Sequence, residues 1–357
     1  MKKIAVIGTV GIPAKYGGFE TLTEYLTKYL SNSYDITVFC STQNYDGTIF
    51  IHNGAKLRYI NLNANGIQSI PYDIISILNS LKFADTLLIL GVSGCIILPL
   101  IKLFSSKKII VNIDGLEWKR DKWGKLAKWF LKYSEKLAVS YADIVVSDNK
   151  VIQNYIKNEY GIDSVLIAYG ADHVTKKELS DILKEKYFFL KEKYAFNVCR
   201  IEPENNLHII LEAFNEFTKI NLVIIGNWTN SEYGKNLKSK YGEKNNIYLL
   251  DPIYDQNILN QIRSNCYIYL HGHSAGGTNP SLVEAMYLEL PILAFGVEYN
   301  KETTQNKAKY FKNKDELIDI LENINEVELQ KLAIQNKKIA VENYTWIKIS
   351  TEYAKLF

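Results

Sequence analysis

Short runs of β-branched and aliphatic residues alternate with longer stretches of helical periodicity along the whole chain. The apolar runs predict strands at Ile4–Ile7, Ile36–Phe39, Leu57–Ile60, Thr86–Leu90, Lys108–Asn112, Ile144–Ser147 and Val165–Ala168. A charged stretch at Thr175–Lys193 interrupts the rhythm. It resumes with strands at Ala195–Cys199, Leu222–Ile225, Ile247–Leu250, Cys266–Leu270 and Pro291–Ala294. Between them lie helical patterns such as Phe19–Leu30 and Leu207–Phe217, with apolar residues recurring every three or four positions. Alternating βα units of this kind predict parallel sheets covered on both faces. The fold class is therefore α/β, with two Rossmann-like, doubly wound parallel-sheet domains at 1–172 and 173–342. Each should carry its binding crevice at the carboxyl ends of its strands. A ligand held between the two would touch both sets of strand-to-helix loops. The last segment, 343–357, predicts a helix with Trp346, Ile349 and Tyr353 on one stripe. That helix either completes the second domain or crosses back to the first.

Composition narrows the class. Of 357 residues, 47% are hydrophobic and 23% charged, which excludes wholesale disorder. The net charge of +3 is too small for bulk-charge binding to nucleic acid. It is unevenly spread: basic residues exceed acidic ones by 19 to 14 over residues 1–170 and trail by 23 to 25 beyond. The first half is thus the one suited to an anionic partner. Cys40, Cys95, Cys199 and Cys266 lie far apart with no CxxC pair, so buried thiols in a reducing compartment are expected. Met1-Lys2-Lys3 runs straight into a strand pattern without a signal-peptide profile. The apolar stretch Thr86–Phe104 is broken by Gly91, Ser93, Gly94, Pro99 and Lys102, which argues against a membrane span. A soluble or peripheral protein is expected.

Three glycine-rich or charged loops carry candidate chemistry. The first strand leads into Gly8-Thr9-Val10-Gly11-Ile12-Pro13-Ala14-Lys15-Tyr16-Gly17-Gly18-Phe19-Glu20. Backbone N–H groups and a helix N-terminus there suit an anion, although a tight turn needing positive φ explains the glycines equally well. The loop lacks both GxGxxG and GK[ST]. In the second half, Arg200 follows a strand, where it would face the crevice and bind phosphate, or pair with Glu202 or Glu204. The densest signal is the run from His271 to Met286, HGHSAGGTNPSLVEAM. Asn279 suits a helix cap and Pro280 a first turn, leaving free N–H groups at Gly277 to Asn279 for an anion. Glu284 sits among Leu282, Val283, Ala285 and Met286 and needs a partner, for which a pair of sugar hydroxyls is suited. His271 and His273 have no third ligand at metal spacing, so no metal is expected.

Asp114 and Glu117 end another first-domain strand, where either would be a base or a hydroxyl anchor. Residues 116–138 interleave Trp118, Trp123, Trp129, Phe130 and Tyr133 with seven basic residues. The periodicity puts Leu126, Phe130, Tyr133 and Leu137 on one stripe. That pattern fits an anionic membrane surface or an ordinary amphipathic helix with a solvated lysine face. No Asp-x-Asp pair occurs, so the metal–diphosphate clamp of one large glycosyltransferase class is missing.

Three segments, IGTVGIPAKYGGFET, NIDGLEWKRDKWG and CRIEPENN with HGHSAGGTNPSLVEAM, together resemble GT-B glycosyltransferases of family 4, and within it the bacterial rhamnosyltransferases of capsule and cell-wall polysaccharide synthesis (beta-1,4-rhamnosyltransferase-like). The resemblance implies two Rossmann-like domains facing a central cleft, a nucleotide-sugar donor held mainly by the second, an acceptor held mainly by the first, and a C-terminal helix returning to the first. It implies a retaining, metal-independent transferase that needs no cofactor beyond its co-substrate dTDP-L-rhamnose and acts on a lipid-diphosphate-linked saccharide. It further implies a cytoplasmic enzyme peripheral to the inner face of the cell membrane, touching it through residues 116–138. By the same resemblance Arg200 neutralises the donor diphosphate and Glu284 accepts hydrogen bonds from the nucleoside sugar. Asn205, His273, Gly276, Gly277, Thr278 and Asn279 line the donor, and Gly17 and Gly18 close on it from the opposite domain. Tyr16, Asp114, Glu117 and Trp118 hold the acceptor, with Asp114 orienting or deprotonating it. The sequence departs from the wider family at Gly276, where a second glutamate is usual. It departs again at Glu204-Asn205-Asn206, where a lysine is usual, and near Asp114, where a histidine is usual. A UDP-sugar donor remains open, as do a nucleotide-cofactor oxidoreductase and a non-catalytic binding protein.

Overall fold

Strands whose side chains are buried on both faces read as unbroken apolar runs, and those runs form the centre of each sheet. A computed structural model describes residues 1–15, 17–45, 47–113, 115–120 and 123–357. The chain forms two units, Met1–Gly170 with Trp346–Phe357, and Ala171–Thr345.

The first unit contains β1 (Lys3–Ile7), α1 (Gly18–Leu30), β2 (Asp35–Ser41), β3 (Ile51–His52), β4 (Ala55–Ile60), α2 (Ser69–Ser80), β5 (Thr86–Leu90), α3 (Leu98–Phe104), β6 (Lys108–Asn112), α4 (Lys125–Tyr141), β7 (Ile144–Ser147), α5 (Lys150–Tyr160) and β8 (Val165–Leu166). The sheet order is β3-β4-β2-β1-β5-β6-β7-β8, parallel except for the β3–β4 hairpin. Ile4 pairs with Ile36 on one side and Thr86 on the other, so strand order reverses at β1 and β5. That reversal is the topological switch point, where the loops after β1 and β5 emerge.

The second unit contains α6 (Asp181–Lys186), β9 (Tyr194–Val198), α7 (Leu207–Glu216), β10 (Asn221–Ile225), α8 (Glu232–Tyr241), β11 (Ile247–Leu250), α9 (Gln256–Ser264), β12 (Ile268–His271), α10 (Pro280–Tyr287), β13 (Ile292–Phe295), α11 (Glu298–Thr303), β14 (Lys309–Phe311), α12 (Lys314–Glu322) and α13 (Glu326–Asn343). Its sheet is wholly parallel in the order β11-β10-β9-β12-β13-β14, with the switch point between β9 and β12. The charged stretch 175–193 lies inside this unit and includes α6.

The last helix, α14 (Trp346–Leu356), packs into the core of the first unit, where Trp346, Ile349, Tyr353 and Leu356 cluster with β1, β2 and α1. Trp346 stacks on Tyr25 at 4.5 Å, nearly coplanar, and Asn112 Nδ2 donates to the Tyr353 hydroxyl at 2.7 Å.

The inward face of α4 differs from the predicted stripe. Leu131, Ser134, Glu135, Ala138 and Val139 are buried, while Leu126 is 80% exposed, Trp129 64% and Tyr133 43%. Two polar side chains turn inward because partners await them. Ser134 Oγ donates to the Val92 carbonyl at 2.5 Å, and Glu135 accepts from Trp118, Tyr155 and Tyr160. Hydrophobicity alone misplaces a helix face whose buried positions include satisfied polar groups. Among the described residues, no helix is long and apolar enough to cross a membrane.

Candidate active site

The loops leaving the switch point of the second sheet are laced together by backbone and amide hydrogen bonds. After β9, Pro203–Asn205 forms one tight turn and Asn206 adopts φ 48°. Asn205 Nδ2 donates to the Arg200 carbonyl at 2.7 Å, and its Oδ1 lies 2.8 Å from His273 Nδ1, which therefore carries the donated proton. Asn206 Nδ2 donates to the Gly272 carbonyl at 2.8 Å. The amide and hydroxyl of Ser274 both donate to the Glu204 carbonyl, at 2.8 and 3.0 Å. From α11, Asn300 Nδ2 fastens the His273 carbonyl at 2.8 Å. Asn205 and His273 are thus joined directly, as parts of the scaffold that shapes the loop.

The glycine-rich segment then turns through Gly276 at φ 96°, a conformation that favours glycine. Thr278 is buried, and Asn279 caps α10: its Oδ1 accepts from the amide and hydroxyl of Ser281 at 3.0 and 2.8 Å. Pro280 occupies the first turn. Among the described residues the Arg200 side chain is exposed and makes no ion pair or hydrogen bond; the pairing with Glu202 or Glu204 weighed as an alternative is not formed. A free guanidinium therefore stands on the loop adjoining the glycine-rich turn.

Glu284 is not left seeking a partner. Oε1 lies 3.0 Å from His173 Nε2, and Oε2 accepts a short hydrogen bond from Arg263 Nη1. Burial opposes ionisation of this carboxyl, but the Arg263 guanidinium and His173 outweigh it and hold it down at about 2. Arg263 and His173 escaped the sequence reading because they lie 21 and 111 residues from Glu284. The one local signal was an arginine among the apolar positions Leu259 and Ile262 of α9, where a charge demands a partner. His271 is buried, and burial pushes its imidazole down to about 3, so it is neutral at neutral pH. Its Nε2 has no partner among the described residues.

In the first unit, Gly17 precedes α1 at φ 127°, and a Cβ there would fall 1.9 Å from Glu20 Oε2. Glu20 Oε1 accepts from the Val10 amide at 2.8 Å and the Thr9 hydroxyl at 3.1 Å, while the Ala14 amide donates to Glu24 at 3.0 Å. The Val10 and Ala14 amides of this loop are thus already satisfied and are not open to an anion. Gly18 begins α1. Glu117 pairs with Arg120 at 2.9 Å and accepts from Trp123 Nε1 at 3.0 Å. Trp118 Nε1 donates to Glu135 at 3.0 Å, and its ring flanks Lys132 at 4.7 Å. The polar groups of Glu117 and Trp118 are therefore engaged within their own unit. Tyr16 and Asp114 lie outside the described residues.

Comparison with known proteins agrees with this two-part construction. Residues 1–172 match the model described as "Domain of unknown function (DUF1972)", and residues 180–344 match "Glycosyl transferases group 1". No curated protein matches the chain in sequence. Among solved structures, sucrose-phosphate synthase from Thermosynechococcus elongatus superposes with a TM-score of 0.82 at 13% identity, covering 100% of this chain and 98% of that one. HepE from Anabaena, in complex with UDP and glucose, gives 0.78 at 15% identity, covering 99% of each chain. The α,α-trehalose 6-phosphate synthase of Burkholderia multivorans gives 0.73 at 12% identity, covering 99% of this chain and 96% of that one.

Proposed function

We propose that this chain, a glycosyltransferase of the GT-B fold whose second unit is a group 1 domain, moves L-rhamnose from dTDP-L-rhamnose to a hydroxyl of a lipid-diphosphate-linked saccharide. The observation that carries this reading is Arg200, a guanidinium that is exposed and, among the described residues, unpaired, on the loop bound to the glycine-rich turn before α10. Breaking the anomeric C–O bond throws negative charge onto the departing diphosphate. Arg200 and the amides of Gly276 to Asn279 supply fixed positive potential for that charge. With no Asp-x-Asp pair in the chain, the reaction is assigned to this protein-borne charge rather than to a metal, with retention at the anomeric carbon. Glu284, held ionised, accepts a hydrogen bond from the free hydroxyl of the nucleoside sugar. At Gly276 no carboxylate side chain projects toward the transferred sugar, which suits a 6-deoxyhexose. Gly17 and Gly18 are assigned to the donor diphosphate, and Tyr16, Asp114, Glu117 and Trp118 to the acceptor, with Asp114 handling its proton.

The acceptor's lipid places the protein at a cytoplasmic membrane face. Exposed Leu126, Trp129 and Tyr133 of α4, with Leu103 and Phe104 at the end of the adjacent α3, support that contact. Lys125 and Lys136 add exposed positive charge to the same helix.

A UDP-sugar donor is the second reading, favoured by the likeness to HepE, which was solved with UDP-glucose. Incubation with a panel of nucleotide sugars and a lipid-linked acceptor separates the two. Release of dTDP from dTDP-L-rhamnose is expected. Release of UDP alone overturns the donor assignment, and nucleotide binding without release under any condition overturns the transferase reading of the site.

A further inference from the structure

Glu284 is the outermost member of a buried polar chain. Asn260 Oδ1 accepts from both Nε and Nη2 of Arg263, at 3.0 and 2.7 Å, which fixes the guanidinium plane. Arg263 is 2% exposed and Asn260 6%, so neither reaches a ligand directly. The third guanidinium nitrogen, Nη1, grips Glu284 Oε2. His173 Nε2 meets Oε1 at 3.0 Å, and because a carboxylate only accepts, that nitrogen carries the proton. Each carboxylate oxygen thus has one internal partner. A carboxylate has about four accepting positions, so roughly one per oxygen is left over. The Glu284 side chain keeps 16% of its surface exposed, and the spare positions open there.

We infer that Arg263 and His173 are positioning residues for Glu284, holding its carboxylate in one ionised orientation that accepts a hydrogen bond from the 3′-hydroxyl of the nucleotide's pentose. The inference rests on the donor-site reading above. Arg263 performs a second service. Glu284 lies one helical turn from the N-terminus of α10, close enough for a bare carboxylate to repel an incoming diphosphate. The ion pair cancels that charge without removing the acceptor atoms. His173 sets the rotation of the carboxylate about its long axis, which Arg263, bound through one nitrogen, does not fix alone.

The test measures binding of thymidine diphosphate and its 3′-deoxy analogue, with the corresponding uridine pair in parallel, to the full chain. Wild type is expected to prefer the 3′-hydroxyl by about tenfold, the worth of a charge-assisted hydrogen bond. His173→Phe and Arg263→Met should bring that ratio to within about twofold of unity, whereas His173→Gln, which keeps an N–H donor, retains it. A purely structural role would weaken both analogues equally and leave the ratio at its wild-type value, and that result overturns the inference even if Arg263→Met fails to fold. A wild-type ratio of one with tight nucleotide binding removes Glu284 from pentose recognition and overturns the inference while leaving a nucleotide site. Absence of binding by all four nucleotides overturns the donor-site reading itself, and the inference with it.

Discussion

A side chain on Gly272 would collide with Asn205: a Cβ built there lies 2.0 Å from the Asn205 carbonyl oxygen. The two loops of the second sheet's switch point meet at this backbone contact, and it exists because position 272 has no side chain.

Gly272→Ala must push the 199–206 loop away, weakening the bonds from Asn206 to Gly272 and from Ser274 to Glu204. We expect a loss of about 2 kcal/mol in urea unfolding, the range for forced overpacking. Nucleotide release should fall as well, because Arg200 rides on the displaced loop. Unchanged unfolding and turnover would show that the contact is relieved without cost.

Arg200→Ala separates stability from chemistry. The side chain is exposed and unpaired among the described residues, so unfolding should shift by no more than about 0.5 kcal/mol. Loss of a charge aimed at the leaving group should lower kcat about a hundredfold. Steady-state assays of dTDP release read the second quantity and urea titration the first. Turnover near the wild-type rate rejects the assigned role.

Two buried groups give opposed pH dependences. Burial pushes His271 from 6.5 down to about 3, so below pH 6.5 the unfolded chain takes up a proton that the folded one refuses. Stability from this group is present above pH 6.5 and is lost as pH falls toward 3, at up to about 1.4 kcal/mol per unit. Asp73 behaves in the reverse sense. Burial outweighs its hydrogen bonds from Ser93 and the Gly94 amide and raises it from 3.8 to about 7, so its contribution is present below 3.8 and is lost as pH rises through 7. Asp73→Asn should therefore stabilise the protein at pH 8 by up to about 4 kcal/mol and do little at pH 4. His271→Gln should flatten the acid limb. Unfolding midpoints across pH 4 to 8 check both signs.

The exposed face of α4 gives a separate expectation. Lys132, one of the seven basic residues of 116–138, is withdrawn from that face: it is enclosed by Trp118, Tyr155 and Tyr160 at 4.7 to 5.0 Å and paired with Glu159 at 2.9 Å. Reversing Lys125 and Lys136 to Glu, with Trp129→Ser, should reduce co-sedimentation with vesicles containing anionic lipid several-fold. Turnover of a water-soluble acceptor should be unchanged. Undiminished sedimentation discards this face as the contact.

The strands at the centre of each sheet were legible because two-sided burial writes them as continuous apolar runs; Thr86–Leu90 and Lys108–Asn112 coincide with β5 and β6 to the residue. Edge strands β3 and β14, of two and three residues, are too short to leave a pattern, and exposed β8 ends two residues before the run that suggested it. On α4 the apolar stripe did not mark the packed face, because Ser134 and Glu135 spend their polarity inside. The loops of the candidate site were found through glycine and proline, whose backbone demands are local. The long-range partners of Glu284 were not, since no local rule links an arginine before β12 or a histidine after β8 to a glutamate on α10.

The placement of α14 has a consequence for biogenesis. One flank of the first sheet rests partly on Trp346, Ile349 and Tyr353, yet 175 residues of another folding body are translated between Gly170 and Trp346. On the ribosome the amino-terminal sheet must wait with that apolar flank uncovered until the carboxy-terminal segment emerges, although the second body can mature meanwhile. Emergence of residues 346–357 is the event that covers it.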